Sequence, residues 1–170
     1  MRSRWQLCWA LWLAGMGLAG AAWGQSAQIS SELQVQQVET VDGNTVFKPA
    51  QASKPGDVLE YRVSYTNHSA AAVTGLVASL PIPAGTTLLE RSQLPPNALA
   101  STDGTQFAPL PLMRLVKQPD GSEHQERVPL GEYRALRWTL GPLAAGKSAQ
   151  VSARVRINTT PPQAAGKATG

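Results

Sequence analysis

Cysteine is all but missing from this chain: Cys8 is the only one in 170 residues. A single thiol builds neither a disulfide framework nor a cysteine-ligated zinc site. Charged side chains make up only 15% of the chain and aromatic ones 6%. The basic excess of +4 is spread thinly, without the clustered Lys and Arg that nucleic-acid binding requires. Helical patterning is absent too, since no stretch after Gln25 sustains apolar residues at i, i+3 and i+4. What is abundant completes the contrast. Hydrophobic residues reach 42%, enough for a packed interior, and 15 Gly with 13 Pro supply frequent turns. The length accommodates one domain with or without a tail and rules out a large multidomain enzyme. Few charges, many turns and no helical period together predict an all-β protein.

The first 24 residues stand apart. Arg2 and Arg4 open the chain, an apolar run extends from Trp5 to Leu18, and small residues close it at Ala19-Gly20-Ala21-Ala22. This is the order of a secretory signal peptide, with cleavage expected after Ala22-Trp23-Gly24 and before Gln25. The run is shorter than the ~20 residues that span a bilayer, and Gly15 and Gly17 break it. Cys8 sits near the start of the run, whereas a lipidated cysteine follows it, so Cys8 reads as a small apolar filler. The mature chain, 25–170, then has no cysteine, no membrane span and Trp138 as its only tryptophan. Arg2 and Arg4 leave with the leader, which halves the +4 excess. The expected location is the periplasm, the cell surface or the medium.

Along the mature chain the apolar period is two. Residues 25–31 are polar and read as a loose lead-in. Leu33, Val35 and Val38 alternate with Gln in a first strand, Asp42-Gly43-Asn44 marks a turn, and Lys54-Pro55-Gly56-Asp57 marks another. The clearest pattern follows. Leu59, Tyr61, Val63 and Tyr65 share one face, and Glu60, Arg62, Ser64 and Thr66 share the other. Residues 73–80 read as a second strand, and Pro81 and Pro83 bar it from a sheet centre. Residues 91–111 carry Pro95, Pro96, Pro109 and Pro111 and read as a long surface connection pinned by Phe107. Residues 112–116 alternate, Pro119-Asp120-Gly121-Ser122 is a hairpin turn, and a weak polar strand leads to Leu130. Leu136, Trp138 and Leu140 alternate, as do Ala149, Val151, Ala153, Val155 and Ile157. Residues 158–170 read as a disordered tail. About seven to nine short strands joined by turns predict a β-sandwich over 32–157.

The stretch Pro55-Gly56-Asp57-Val58-Leu59-Glu60-Tyr61-Arg62-Val63-Ser64-Tyr65-Thr66-Asn67 resembles the opening strand of the bacterial conserved-repeat domain, the family catalogued as domain of unknown function eleven. Leu80-Pro81-Ile82-Pro83-Ala84-Gly85-Thr86-Thr87 resembles its Leu-Pro-x-Gly-Thr turn, with an extra Ile-Pro. Arg137-Trp138-Thr139-Leu140, Gly141-Pro142-Leu143-Ala144-Ala145-Gly146 and the alternating 148–157 resemble its closing strands. The resemblance covers 51–157 and departs from the family at 90–133, which is longer and richer in Pro. It implies an immunoglobulin-like fold and structural or adhesive work on the bacterial envelope, here in a single copy, and it carries no catalytic residues to transfer.

Reactive chemistry has thin support. The only histidines are His68 and His124, both in a turn or polar hairpin. A small hydrolase would have to draw on one of them, for example His68 with Ser69 and a distant Asp. His124 with Glu123 and Glu126 is too sparse for zinc. Asp120-Gly121-Ser122-Glu123 lacks the further carboxylates of a calcium loop, and Asp103-Gly104-Thr105 reads as a plain turn in the same way. No catalytic residue, cofactor or metal is therefore expected. Asn67-His68-Ser69 and Asn158-Thr159-Thr160 are glycosylation sequons, which matter only in a host with the machinery. Arg62, Arg137, Arg154 and Arg156 are the candidate ligand-binding face, suited to an acidic glycan, a lipid phosphate or an acidic protein. The expected role is a non-catalytic interaction module that binds an envelope or surface protein through a sheet edge or loops. The Arg face as a glycan or lipid-phosphate binder is the alternative.

The core prediction is specific. With one tryptophan left to anchor it, Trp138→Ala is expected to cost about 3–5 kcal/mol in urea melts, and a loss below about 1 kcal/mol would show that the indole is not buried.

Overall fold

The computed structural model describes residues 28–159. The leader at 1–24 and most of the tail at 158–170 lie outside the described residues. The first sheet holds β1 (Ile29–Val41), β2 (Asn44–Pro49), β3 (Val58–Asn67), β5 (Thr86–Leu88) and β11 (Ser148–Ile157), in the order β2-β1-β3-β11-β5. The second holds β4 (Val77–Pro81), β6 (Leu99–Ser101), β7 (Ala108–Pro109) and β10 (Ala135–Thr139), in the order β4-β10-β6-β7. The two sheets thus comprise nine of the described strands, within the number expected of a sandwich. A separate two-stranded hairpin, β8 (Met113–Lys117) and β9 (Glu123–Arg127), stands outside them. Every pairing among the described strands is antiparallel.

Two sheets face each other across one core, as the period of two requires. Leu59 and Val63 of β3 and Val151, Ala153 and Val155 of β11 enter it from one side. Ala78 and Leu80 of β4, Ala100 of β6, and Leu136 and Trp138 of β10 enter it from the other. Trp138 is 1% exposed and pairs in register with Ala78, whose methyl leaves room beside the indole. The indole N–H donates to the carbonyl of Pro95 at 2.8 Å, so the one polar atom of the ring is satisfied in the interior. Asp42 and Gly43 both take positive φ, 51° and 79°, and close a two-residue hairpin between β1 and β2. An Asp-Gly pair meets that demand at low cost.

Three expectations need correction. The supposed lead-in at 25–31 already contains the start of β1 at Ile29. Its backbone pairs with β3 from Ile29↔Asn67 to Val35↔Tyr61 despite the polar side chains at its start. The strand expected at 73–80 is β4, which starts at Val77; Val73 instead makes an isolated bridge to Leu143. The Pro-rich 91–111 is no surface connection throughout. Its Pro-free stretch Ala98-Leu99-Ala100-Ser101 contributes β6, an inner strand between β10 and β7, with Ala98, Ala100 and Ser101 buried. Small side chains let that backbone lie close to the core, and the prolines sit before it and in or after the edge strand β7.

Asn67 ends β3 as a fully buried polar clamp, 0% exposed. Its Nδ2 donates to the carbonyls of Ala71 at 2.8 Å and Leu143 at 2.9 Å. Its Oδ1 accepts from the N–H and the hydroxyl of Ser69 at 2.9 and 2.7 Å. One side chain thus ties the end of β3 to the turn after it and to the loop before β11. Asn67→Ala is expected to cost about 1–3 kcal/mol in urea melts, because buried carbonyls lose their donor. Ala70→Ser, on the exposed part of the same turn, should leave the midpoint unchanged.

Candidate functional site

The four candidate arginines do not share a face. Arg62, Arg154 and Arg156 alternate with core residues of β3 and β11 and so lie on the outer side of the first sheet. Arg137 lies between the buried Leu136 and Trp138 of β10 and so faces outward from the second sheet. There its guanidinium stacks on the Phe107 ring, 3.6 Å from the centroid, a cation–π contact that leaves Nε buried without a partner. Two of the remaining three share one buried counter-charge. Glu60, expected to face water, is 5% exposed, because Arg62 and Arg154 close over it. One carboxylate oxygen accepts from Arg62 and the other from Arg154 Nε at 2.9 Å. The Arg62 guanidinium also sits 5.5 Å from the Phe47 ring centre. Arg156 donates to the Gly56 carbonyl at 3.2 Å.

The two histidines differ in this respect: His68 is placed apart from Ser69, whereas His124 Nε2 lies 4.0 Å from Glu126 Oε2. His68 Nε2 hydrogen-bonds the Ser30 hydroxyl at 2.7 Å, while Ser69 turns to Asn67. His124 Nδ1 meets Gln118 Nε2 at 3.2 Å on the exposed hairpin. Among the described residues no group of three or more His, Cys, Asp or Glu stands ready for a metal ion. The turn aspartates hold backbone. Asp103 accepts from the N–H groups of Gln106 and Thr105 and from Ser101, which keeps its carboxyl well below the usual carboxylate range. Asp120 is lowered by the hydroxyl and N–H of Ser122. The first sequon is sealed, since both hydrogens of the Asn67 amide are engaged inside the fold.

A feature with the shape of a ligand site lies largely within 90–133. At the base of the β8–β9 hairpin, a cavity of about 470 Å³ opens between the segment after β5 and the chain leading out of β9. Leu88, Leu110, Val128, Leu130 and Tyr133 supply apolar wall, and Glu90, Arg91 and Arg127 supply charge. The size falls in the usual range for small-ligand pockets. The walls are braced. Tyr133 is fully buried, and its hydroxyl accepts the Leu112 N–H at 2.8 Å. Val128 N–H donates to the Leu112 carbonyl at 2.9 Å and closes the hairpin base. Arg114 bridges Glu126 and Glu132, which pins the hairpin to the 3-10 turn Leu130–Glu132 and raises the guanidinium pKa, Glu126 contributing first. Sequence reasoning missed every wall residue; the only signal was the Pro-flanked length of 90–133.

An edge is open as well. β2 covers β1 only over Gln36–Val41. Along Ile29–Val35, among the described residues, β1 has β3 on one side and no strand on the other. Leu33, in the middle of that stretch, is 56% exposed. Among the described residues no helix is long and apolar enough to cross a membrane.

No protein-family model matches the chain, and a search of the curated proteins finds no match.

The Glu60 arrangement yields a two-sided prediction. Glu60→Gln is expected to cost about 1–3 kcal/mol in urea melts, since hydrogen bonds to charged groups are the stronger kind. It should also release two guanidinium groups, so the variant elutes from a heparin column at higher salt than the parent. Unchanged elution would show that Arg62 and Arg154 are already free.

Proposed function

We propose that this chain is an exported, non-catalytic structural or interaction module of the bacterial cell envelope, with an immunoglobulin-like sandwich that binds a protein partner by strand addition. The observation that carries the reading is the open edge at Ile29–Val35, with Leu33 exposed at its centre. An edge of this kind offers unpaired N–H and C=O groups to an extended segment, and the apolar side chain adds a contact. The leader pattern at 1–24 and the resemblance to the conserved-repeat family support export and envelope placement. The Arg face has less support, because Glu60 engages two of its members and Arg137 faces the other way.

Photo-crosslinking in a bacterial host tests this reading. A benzophenone side chain at position 33 is expected to give adducts with an envelope protein, and the same probe at position 156 is not. Leu33→Lys should abolish the association without lowering the melting temperature, since that side chain is already largely in water. Purified from the envelope fraction, the chain should begin at Gln25. Adducts from position 156 alone, whether to lipid or glycan, would overturn the strand-addition reading, and an intact leader in the cytosol would overturn export.

A further inference from the structure

The cavity at the hairpin base holds an unspent recognition group. Gln93 lines it and is 8% exposed, yet its side-chain oxygen is buried without any hydrogen-bond partner. A buried acceptor left unpaired costs stability, and a ligand that donates to it recovers that cost. A primary amide presents an acceptor and a donor side by side, and the group that answers both is another amide, such as a peptide bond. The charge on the cavity wall is only partly balanced: Arg127 stands 3.5 Å from Glu90, whereas Arg91 has no ion-pair partner among the described residues. Arg91 holds a left-handed backbone, φ 57°, in the turn that carries Gln93 along the same wall. The rest of the lining is apolar, with Leu88 and Val128 buried.

We propose that this cavity binds the free carboxyl terminus of a peptide that ends in an apolar residue. The terminal peptide group pairs with the Gln93 amide, the last side chain fills the space against Leu88 and Val128, and the carboxylate meets Arg91 and Arg127. A fatty acid matches the apolar wall and the arginines but offers Gln93 no N–H. The site is separate from the β1 edge, so it stands or falls independently of strand addition.

The test titrates the purified 25–170 chain, by NMR, with acetyl-Ala-Ala-Leu carrying a free carboxylate. Saturable shifts are expected at residues 88–93 and 110–133, and none along 29–35. The C-terminal amide of the same peptide should bind at least about tenfold more weakly, as should Arg91→Asn, which keeps a residue tolerant of the left-handed backbone. Gln93→Leu separates function from folding: its melting temperature should match or exceed the parent's, while affinity falls at least about tenfold. Equal binding of acid and amide, absence of saturable shifts at millimolar peptide, or unchanged affinity in Gln93→Leu would each overturn the proposal. Tight binding of decanoate that ignores Gln93→Leu would overturn it in favour of an acyl site. Leu33→Lys should leave the titration unchanged.

Discussion

The register of β3 is the constraint on which the molecule rests. This strand is flanked along its length by β1 and by β11, from Val38↔Val58 to Ile29↔Asn67 on one side and from Arg156↔Val58 to Ser148↔Thr66 on the other. Side chains alternate strictly across a strand, so one register choice fixes both faces at once. It sends Leu59 and Val63 inward beside Val155 and Val151, and it sets Glu60 directly opposite Arg154. A shift by one residue would turn Glu60 into the core and the aliphatic side chains to water. The ion pair therefore contributes to specificity as well as to stability, because it is formed only in the register that also buries the aliphatic face.

Where apolar alternation was strong, the sequence was a good guide to structure. The patterns at 58–66, at 136–140 and at 149–157 became β3, β10 and β11, and Trp138 is buried as expected, although Tyr133 is fully buried in the same core, so Trp138 is not the sole large anchor. Turn chemistry was equally readable at Asp42-Gly43, where two positive φ values demand residues of that kind. Legibility failed where backbone pairing outweighed side-chain character. The polar Ser30, Ser31 and Glu32 belong to β1 because β3 supplies their hydrogen-bond partners, and an edge position asks no burial of them. It failed again at β6, whose Ala and Ser side chains are too small to write a hydrophobic signal but small enough to pass beside β10.

The candidate sites show the same division more sharply. Arg62 and Arg154 could be found as outward residues of their strands, but Glu60 as their shared, buried counter-charge could not, since that requires knowing which strands are neighbours. Arg137 was read as outward correctly, yet outward on which sheet is a matter of topology. The cavity has no period at all. Its walls come from the end of β5 and the segment after it, Leu110-Pro111 before β8, and the end of β9 with the chain past it, brought together by the hydrogen bonds of Leu112 to Tyr133 and Val128. Sites built from loops on a rigid scaffold seldom announce themselves in local sequence.

The placement of β11 also bears on how the chain reaches its folded state. The last described strand lies between β3 and β5, so the first sheet has a gap beside β3 until that strand is made. Pairings of such long sequence separation form late and slowly. During synthesis, then, the first sheet stays incomplete until its last described strand, β11, has been made.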